Sequence, residues 1–107
     1  MQAQSLARAF AEVDEFWSPR AIGRINDYEI RVAKIQGEFS WHQHSHTDEF
    51  FLVHSGEITI QFKDRPDVTL LPGDCFVVPK GVEHCPKSKG VSEILLFEPA
   101  ITVNTGD

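Results

Sequence analysis

The sequence predicts an all-β fold, a sandwich or closed barrel of roughly eight short strands after one helix. Three observations carry this reading. From Tyr28 onward the apolar segments are short, β-branched and aromatic. Gly, Pro and Asp interrupt them roughly every 6–12 residues, the punctuation of turns. The cleanest stretch sets Ile58, Ile60 and Phe62 against Glu57, Thr59 and Gln61, the period-two alternation of a half-buried strand.

The elements follow in order. Over residues 4–17, Leu6, Phe10, Val13 and then Phe16 or Trp17 recur at helical spacing. Ser18-Pro19 stops that helix, because proline disfavours a helical residue before it. Its apolar face is expected to pack on the outside of the sheet. Strands are expected at 28–35, 39–44, 49–53, 58–62, 68–71, 75–78, 82–85 and 91–97. Gln36-Gly37, Ser45-His46-Thr47-Asp48, Ser55-Gly56, Pro72-Gly73-Asp74 and Pro79-Lys80-Gly81 supply turn chemistry between them. The tail from Pro99 is expected to be extended and less ordered. The expectation is one domain over residues 1–107, with the barrel at about 28–98. Its two strand–turn–strand halves resemble each other in outline, which fits a double-sheet jelly roll.

Composition excludes some functions. Sixteen acidic residues against ten basic ones leave a net charge of −6, and the basic residues are scattered. A nucleic-acid binder needs a basic face, so none is expected. No apolar run approaches a membrane span. The start Met1-Gln2-Ala3-Gln4 lacks the features of a signal peptide, so a cytoplasmic location is expected. Cys75 and Cys85 then read as reduced thiols. Cys85 would point away from His84 in a strand and is not expected to be a ligand.

The chemistry lies in the histidines. His42, His44 and His46 fall within five residues. In a strand, residues two apart share a face, so His42 and His44 can both look inward while Trp41 and Gln43 look out. Glu49 follows after a short loop. His84, just after a Pro-x-Gly turn, could complete the set from another strand. Three imidazoles and a carboxylate suit one divalent ion such as Fe, Mn, Zn or Ni. An octahedral ion would keep open positions for water, dioxygen or a substrate oxygen. His46 shares the parity of the pair and could replace His42, but it lies among loop residues and is expected at the surface, as is His54. By parity with Glu49, Phe51 and Val53 should point inward; Phe62, Phe76 or Val78, and Phe97 are further candidates.

These residues fall in two spaced motifs. Gly37, His42-x-His44, Glu49 and Gly56 form the first; Gly73, Pro79-x-Gly81 and His84 form the second. Together they resemble the paired motifs of the cupin family, in particular its small single-domain bacterial members. The gap from Gly37 to His42 is one residue short of the family pattern, and Ser88 stands where asparagine is expected. The resemblance implies a double-stranded β-helix, a jelly-roll barrel, with a metal held by His42, His44, Glu49 and His84. It also implies a homodimer and a small-molecule substrate or ligand. The activity it implies is that of a metal-dependent enzyme, dioxygenase-like or isomerase- or cyclase-like, with Glu49 doubling as a catalytic base. The alternative is a non-catalytic small-molecule binder whose metal is structural or anchors the ligand.

Overall fold

The computed structural model describes residues 2–107. One short helix, α1 (Leu6–Ala11), precedes seven strands. They are β1 (Arg20–Ile25), β2 (Tyr28–Glu38), β3 (Glu49–Ser55), β4 (Ile58–Phe62), β5 (Val68–Leu70), β6 (Cys75–Val78) and β7 (His84–Pro99). The pairings between these strands are antiparallel, in the order β1-β2-β7-β3-β6, with β4 joining β7 to β5.

The helix is shorter than its apolar spacing predicts. Ser5 caps it, its Oγ accepting from the Arg8 amide at 3.3 Å. It ends at Ala11, where Glu12, Asp14 and Glu15 would crowd acidic groups at the negative end of the helix dipole. Phe10, Ala9 and Val13 still bury against Val32, so the helix packs on the outside of the sheet as expected. Beyond it Trp17 leaves helical geometry altogether and its amide donates to the Lys34 carbonyl of β2.

Strand β1 carried little sequence signal. It is an edge strand, mostly exposed, with Gly23 in its middle and a bulge between Ala21 and Gly23. The turn that joins it to β2 places Asn26 at φ +55°, a conformation asparagine tolerates.

Strand β7 is the spine of the molecule. Residues 82–85 and 91–97, expected as separate strands, belong largely to it. Its first part pairs with β4, with His84 opposite Phe62 and Lys87 opposite Thr59. Its second part lies between β2 and β3, with Leu96 opposite both Arg31 and Phe51. The strand therefore runs away from His84, bends near Ser88 to Ser92 and returns to Glu98. His84 and Glu98 are thus brought to one end of the barrel, beside Glu49 at the start of β3.

Residues 39–44 do not form the predicted strand. They run alongside β7 through one bridge, with His42 and His84 exchanging backbone hydrogen bonds at 3.0 and 2.9 Å. Alternation survives without the ladder: Trp41 and Gln43 are exposed, His42 and His44 buried.

The barrel interior is filled. Ala33, Ile35, Phe51, Val53, Ile58, Ile60, Phe62, Leu70, Val78, Ile94 and Leu96 form one core, with Phe76 packed against it. Phe97 is a correction: Ile94 and Leu96 hold the inward parity, and Phe97 stacks on Tyr28 on the other face. The tail is also a correction. It folds back across the barrel's end: the Asn104 side chain donates to the Trp17 carbonyl, and Asp107 accepts from Ser45.

Candidate metal centre

The structure brings His42, His44, Glu49 and His84 together, all buried, with one ligand atom from each lying within 4.8 Å of the others. Imidazole centroids are 4.4 Å apart for His42 and His84, 5.1 Å for His42 and His44, and 6.0 Å for His44 and His84. His46 is exposed and outside the cluster. His54 is also exposed, its ring stacked on Phe10.

Backbone contacts explain why the two motifs need their spacing. The His42–His84 bridge ties them directly. The Gly81 amide donates to the His44 carbonyl at 2.8 Å, and the Lys80 amide to Asp48 at 2.9 Å. Gly81 holds φ +77°, which a residue with a side chain rarely adopts. The Pro79–Gly81 turn therefore fixes both histidine-bearing segments.

Two of the rings are oriented by the main chain. His42 Nδ1 donates to the Ser40 carbonyl and His84 Nδ1 to the Val82 carbonyl, each at 2.9 Å. A carbonyl only accepts, so in the neutral ring the proton sits on Nδ1 and the lone pair on Nε2 faces the cluster. His84 Nε2 lies 3.0 Å from Glu49 Oε1, and His44 Nε2 lies 3.3 Å from the same oxygen. Lone pairs facing a carboxylate repel unless something positive lies between them: an added proton or a cation. His44 Nδ1 is buried without a hydrogen-bond partner, and its Nε2 has only that Glu49 oxygen before it, outside good hydrogen-bond geometry. Unmet bonding capacity of this kind is rare in a folded interior, and it fits a divalent ion.

The protonation equilibria follow the same geometry. Burial opposes ionisation of Glu49, but the His44 and His84 imidazoles beside it prevail and bring its pKa down to about 2. Burial lowers that of His42, which keeps the ring neutral and its lone pair available. Burial also acts downward on His44, but the neighbouring Glu49 carboxylate outweighs it and the net shift is upward.

Sequence reading missed a second buried layer. Glu98 is fully buried, and one carboxylate oxygen accepts from Arg31 Nη1 at 2.9 Å. Its other oxygen has no partner among the described residues. Burial and then the charge of Glu49 push the Glu98 pKa up to about 7, against the pull of Arg31. Arg31 is spent on Glu98, Glu29 and the carbonyls of Ala100 and Thr102. The signal was parity: Glu98 aligns with Ile94 and Leu96, and Arg31 with Ala33 and Ile35, all inward residues. Cys85 is buried outside the cluster, and burial raises its thiol pKa.

An antiparallel β-barrel whose interior gathers three histidines and a glutamate at one end defines the cupin class. The family model of the cupin domain matches residues 29–98, and the chain belongs to that family. The uncharacterized protein YdbB of Bacillus subtilis (strain 168) is 38% identical over 85 residues, covering 79% of this chain and 75% of that one. A cupin-2 domain containing protein from Shewanella frigidimarina superposes with a TM-score of 0.87 at 42% identity, over 90% of this chain and 93% of that one. Hydroquinone 1,2-dioxygenase from Sphingomonas sp. TTNP3, with 4-hydroxybenzoate bound, superposes with a TM-score of 0.84 at 25% identity. That match covers 92% of this chain but only 32% of the dioxygenase. No helix among the described residues is long and apolar enough to cross a membrane.

Proposed function

We propose that this cupin is a metal-dependent enzyme acting on a small organic molecule, with His42, His44, Glu49 and His84 as the ligands of one divalent ion. The observation that carries the reading is the convergence of four buried donor groups within 4.8 Å, with Nε2 of His42 and His84 freed by backbone hydrogen bonds. Three nitrogens and one oxygen without thiolate suit Fe, Mn, Zn or Ni. When bound, such an ion supplies Lewis acidity toward a substrate oxygen.

The residues do the rest. His42 and His84 hold their rings fixed through Ser40 and Val82. Glu49 is the anionic member of the ligand set and, in this reading, also the catalytic base, its carboxylate accepting a substrate proton. The apolar walls exclude water from that transfer. The likeness to a hydroquinone dioxygenase supports an oxidative reaction on a small ring compound. We place the protein in the cytoplasm as a homodimer, the exposed edge strand β1 offering a surface for pairing.

Metal analysis of protein purified without chelator or nickel affinity tests the ligand set. The expected result is one ion per chain, lost in His42→Ala and kept in His46→Ala. Reversal of that pair would show the wrong histidines had been chosen. Oxygen uptake with a panel of catechols and hydroquinones tests the reaction. A fully loaded protein without turnover would favour the non-catalytic binder.

A further inference from the structure

The cavity next to the ligand cluster measures only ≈ 30 Å³. That is room for about two water molecules, whereas an apolar cavity known to take up benzene measures about 150 Å³. Its wall includes Trp17, Phe39, Phe51, Pro86 and Asn104, together with His42 and Glu49. Any organic molecule must therefore displace part of that wall.

Trp17 is the largest side chain of that wall. With Pro19 and Asn104, it lines both the cavity beside the cluster and an adjoining open depression. Its indole stacks on Phe39 with centroids 4.5 Å apart and planes 16° from parallel. Phe39 in turn meets the His42 ring edge-on. Trp17 sits at φ +59°, a backbone conformation that a bulky residue keeps only where its surroundings impose it. Three hydrogen bonds hold it, the indole Nε1–H to the Gln36 carbonyl, the amide to the Lys34 carbonyl, and its own carbonyl accepting from Asn104 of the tail, and its ring packs against the barrel core.

Resting on the metal-centre reading above, we propose that Trp17 is the specificity-determining residue of this site: it covers the cluster in the resting state, and a flat, uncharged ring carrying one metal-binding oxygen takes its place on Phe39. The chemistry of the wall selects that class. A flat ring reproduces the stack that Trp17 gives up. A charged ring finds no cation in the wall, because the nearby Arg31 is already committed to Glu98, Glu29 and two carbonyls. A sugar finds too few polar partners, since beside His42, Glu49 and Asn104 the wall is built of apolar and aromatic side chains.

The test uses Trp41→Phe protein, in which Trp17 is the only tryptophan left of two. Phenol, cyclohexanol and benzenesulfonate are titrated into the metal-free and zinc-loaded forms while Trp17 emission is followed. Phenol is expected to shift that emission to the red and saturate; cyclohexanol and benzenesulfonate are expected to leave it unchanged. Trp17→Gly, which suits the left-handed backbone, is expected to speed both zinc uptake and zinc transfer to a chelator at least tenfold while leaving the zinc Kd within twofold. Trp17→Phe, which keeps the stack but loses the Nε1–H bond, should fall between. Zinc content separates the two readings. A protein that takes up no zinc but shows the phenol response sinks the metal centre and keeps the role of Trp17. Bound zinc with no phenol response, an equal response to all three compounds, or unchanged transfer rates in Trp17→Gly overturns the proposal.

Discussion

The two ends of the barrel are built on opposite terms. At the histidine end, a space of ≈ 30 Å³ touches His42 and Glu49, and that end also holds a buried His44 Nδ1 and a Glu98 oxygen with no hydrogen-bond partner. At the other end, where β7 bends, an open depression of ≈ 620 Å³ is lined by Gly37, Gly56, Ser88 and Ser92. There the hydroxyls are all engaged. Ser88 and Ser92 lie 2.6 Å apart, Ser88 reaches the Gly90 carbonyl at 2.6 Å, and Ser92 accepts from the Glu57 amide at 3.1 Å. The larger hollow is thus a finished piece of scaffold, and the smaller one is chemically incomplete. Unmet bonding capacity marks the functional end better than volume does.

The largest expected effect comes from the incomplete end. Glu98→Ala would leave the buried Arg31 guanidinium with only the partly exposed Glu29 as its carboxylate, and above the Glu98 pKa of about 7 breaking this buried pair is expected to cost about 3 kcal/mol, the low end for such pairs. Urea unfolding of the metal-free protein checks it. A loss below about 1 kcal/mol would mean that Arg31 finds enough compensation in Glu29 and the Ala100 and Thr102 carbonyls.

The scaffold end should break differently. Gly56 sits at φ +88°, and a Cβ there would lie 2.8 Å from the Ser92 Cα. Gly56→Ala therefore meets both an unfavourable backbone and an overlap with main chain, for a cost of about 1–3 kcal/mol. Ser92→Ala in the same chain should not rescue it, because the clash includes backbone atoms. Zinc affinity should stay within twofold of the parent, since the contact lies at the far end of the barrel. A parallel loss of affinity and stability would show that the two ends are mechanically coupled.

What the sequence made legible divides along the same line. Period two between Ile58 and Phe62 and the Gly–Pro punctuation revealed the sheet, and spacing revealed the cluster, because both depend on local geometry. His42 and His44 were placed correctly although residues 39–44 form no strand; alternation alone sufficed. The helix was overdrawn because spacing ignores the acidic run that ends it. Strand β1 was missed because an exposed edge strand needs no apolar pattern. The Arg31–Glu98 pair was readable in parity but only in retrospect, since each residue alone looks like a surface charge. The covering role of Trp17 had no sequence signal: its position depends on contacts to β2 and to the distant Asn104.

A smaller effect separates the two buried carboxylates of the histidine end. Glu49 has its pKa depressed to about 2, so its contribution to stability is present above the ordinary carboxylate range and is lost only as pH falls through about 2. Glu98 has its pKa raised to about 7, so the folded metal-free protein holds a proton that the unfolded chain releases near 4.5. Its contribution is therefore full below 4.5 and is lost as pH rises through about 7. His44, also raised, adds to that loss, while His42, lowered by burial, works against it. Urea midpoints of the metal-free protein should accordingly fall less between pH 5 and pH 8 in Glu98→Gln than in the parent, since glutamine removes only the Glu98 share. Equal slopes would mean that Glu98 titrates as an ordinary carboxylate and that burial beside Glu49 does not govern it.

The smallest effect concerns acid and the metal together. Protons compete with a metal ion for imidazole nitrogen. Glu49 remains ionised to about pH 2, so acidification should weaken binding through the histidines first, His44 leading because its proton affinity is raised. Below the His44 pKa, apparent zinc affinity is expected to drop about tenfold per pH unit for each imidazole that must release a proton. His46→Ala should reproduce that curve and shift stability by less than about 0.5 kcal/mol, since its ring is exposed and outside the cluster. Competition titrations at stepped pH measure both. A pH-independent affinity between 5 and 7 would mean that the bound ion does not touch the imidazoles, and the chemically incomplete end of the barrel would then need another occupant.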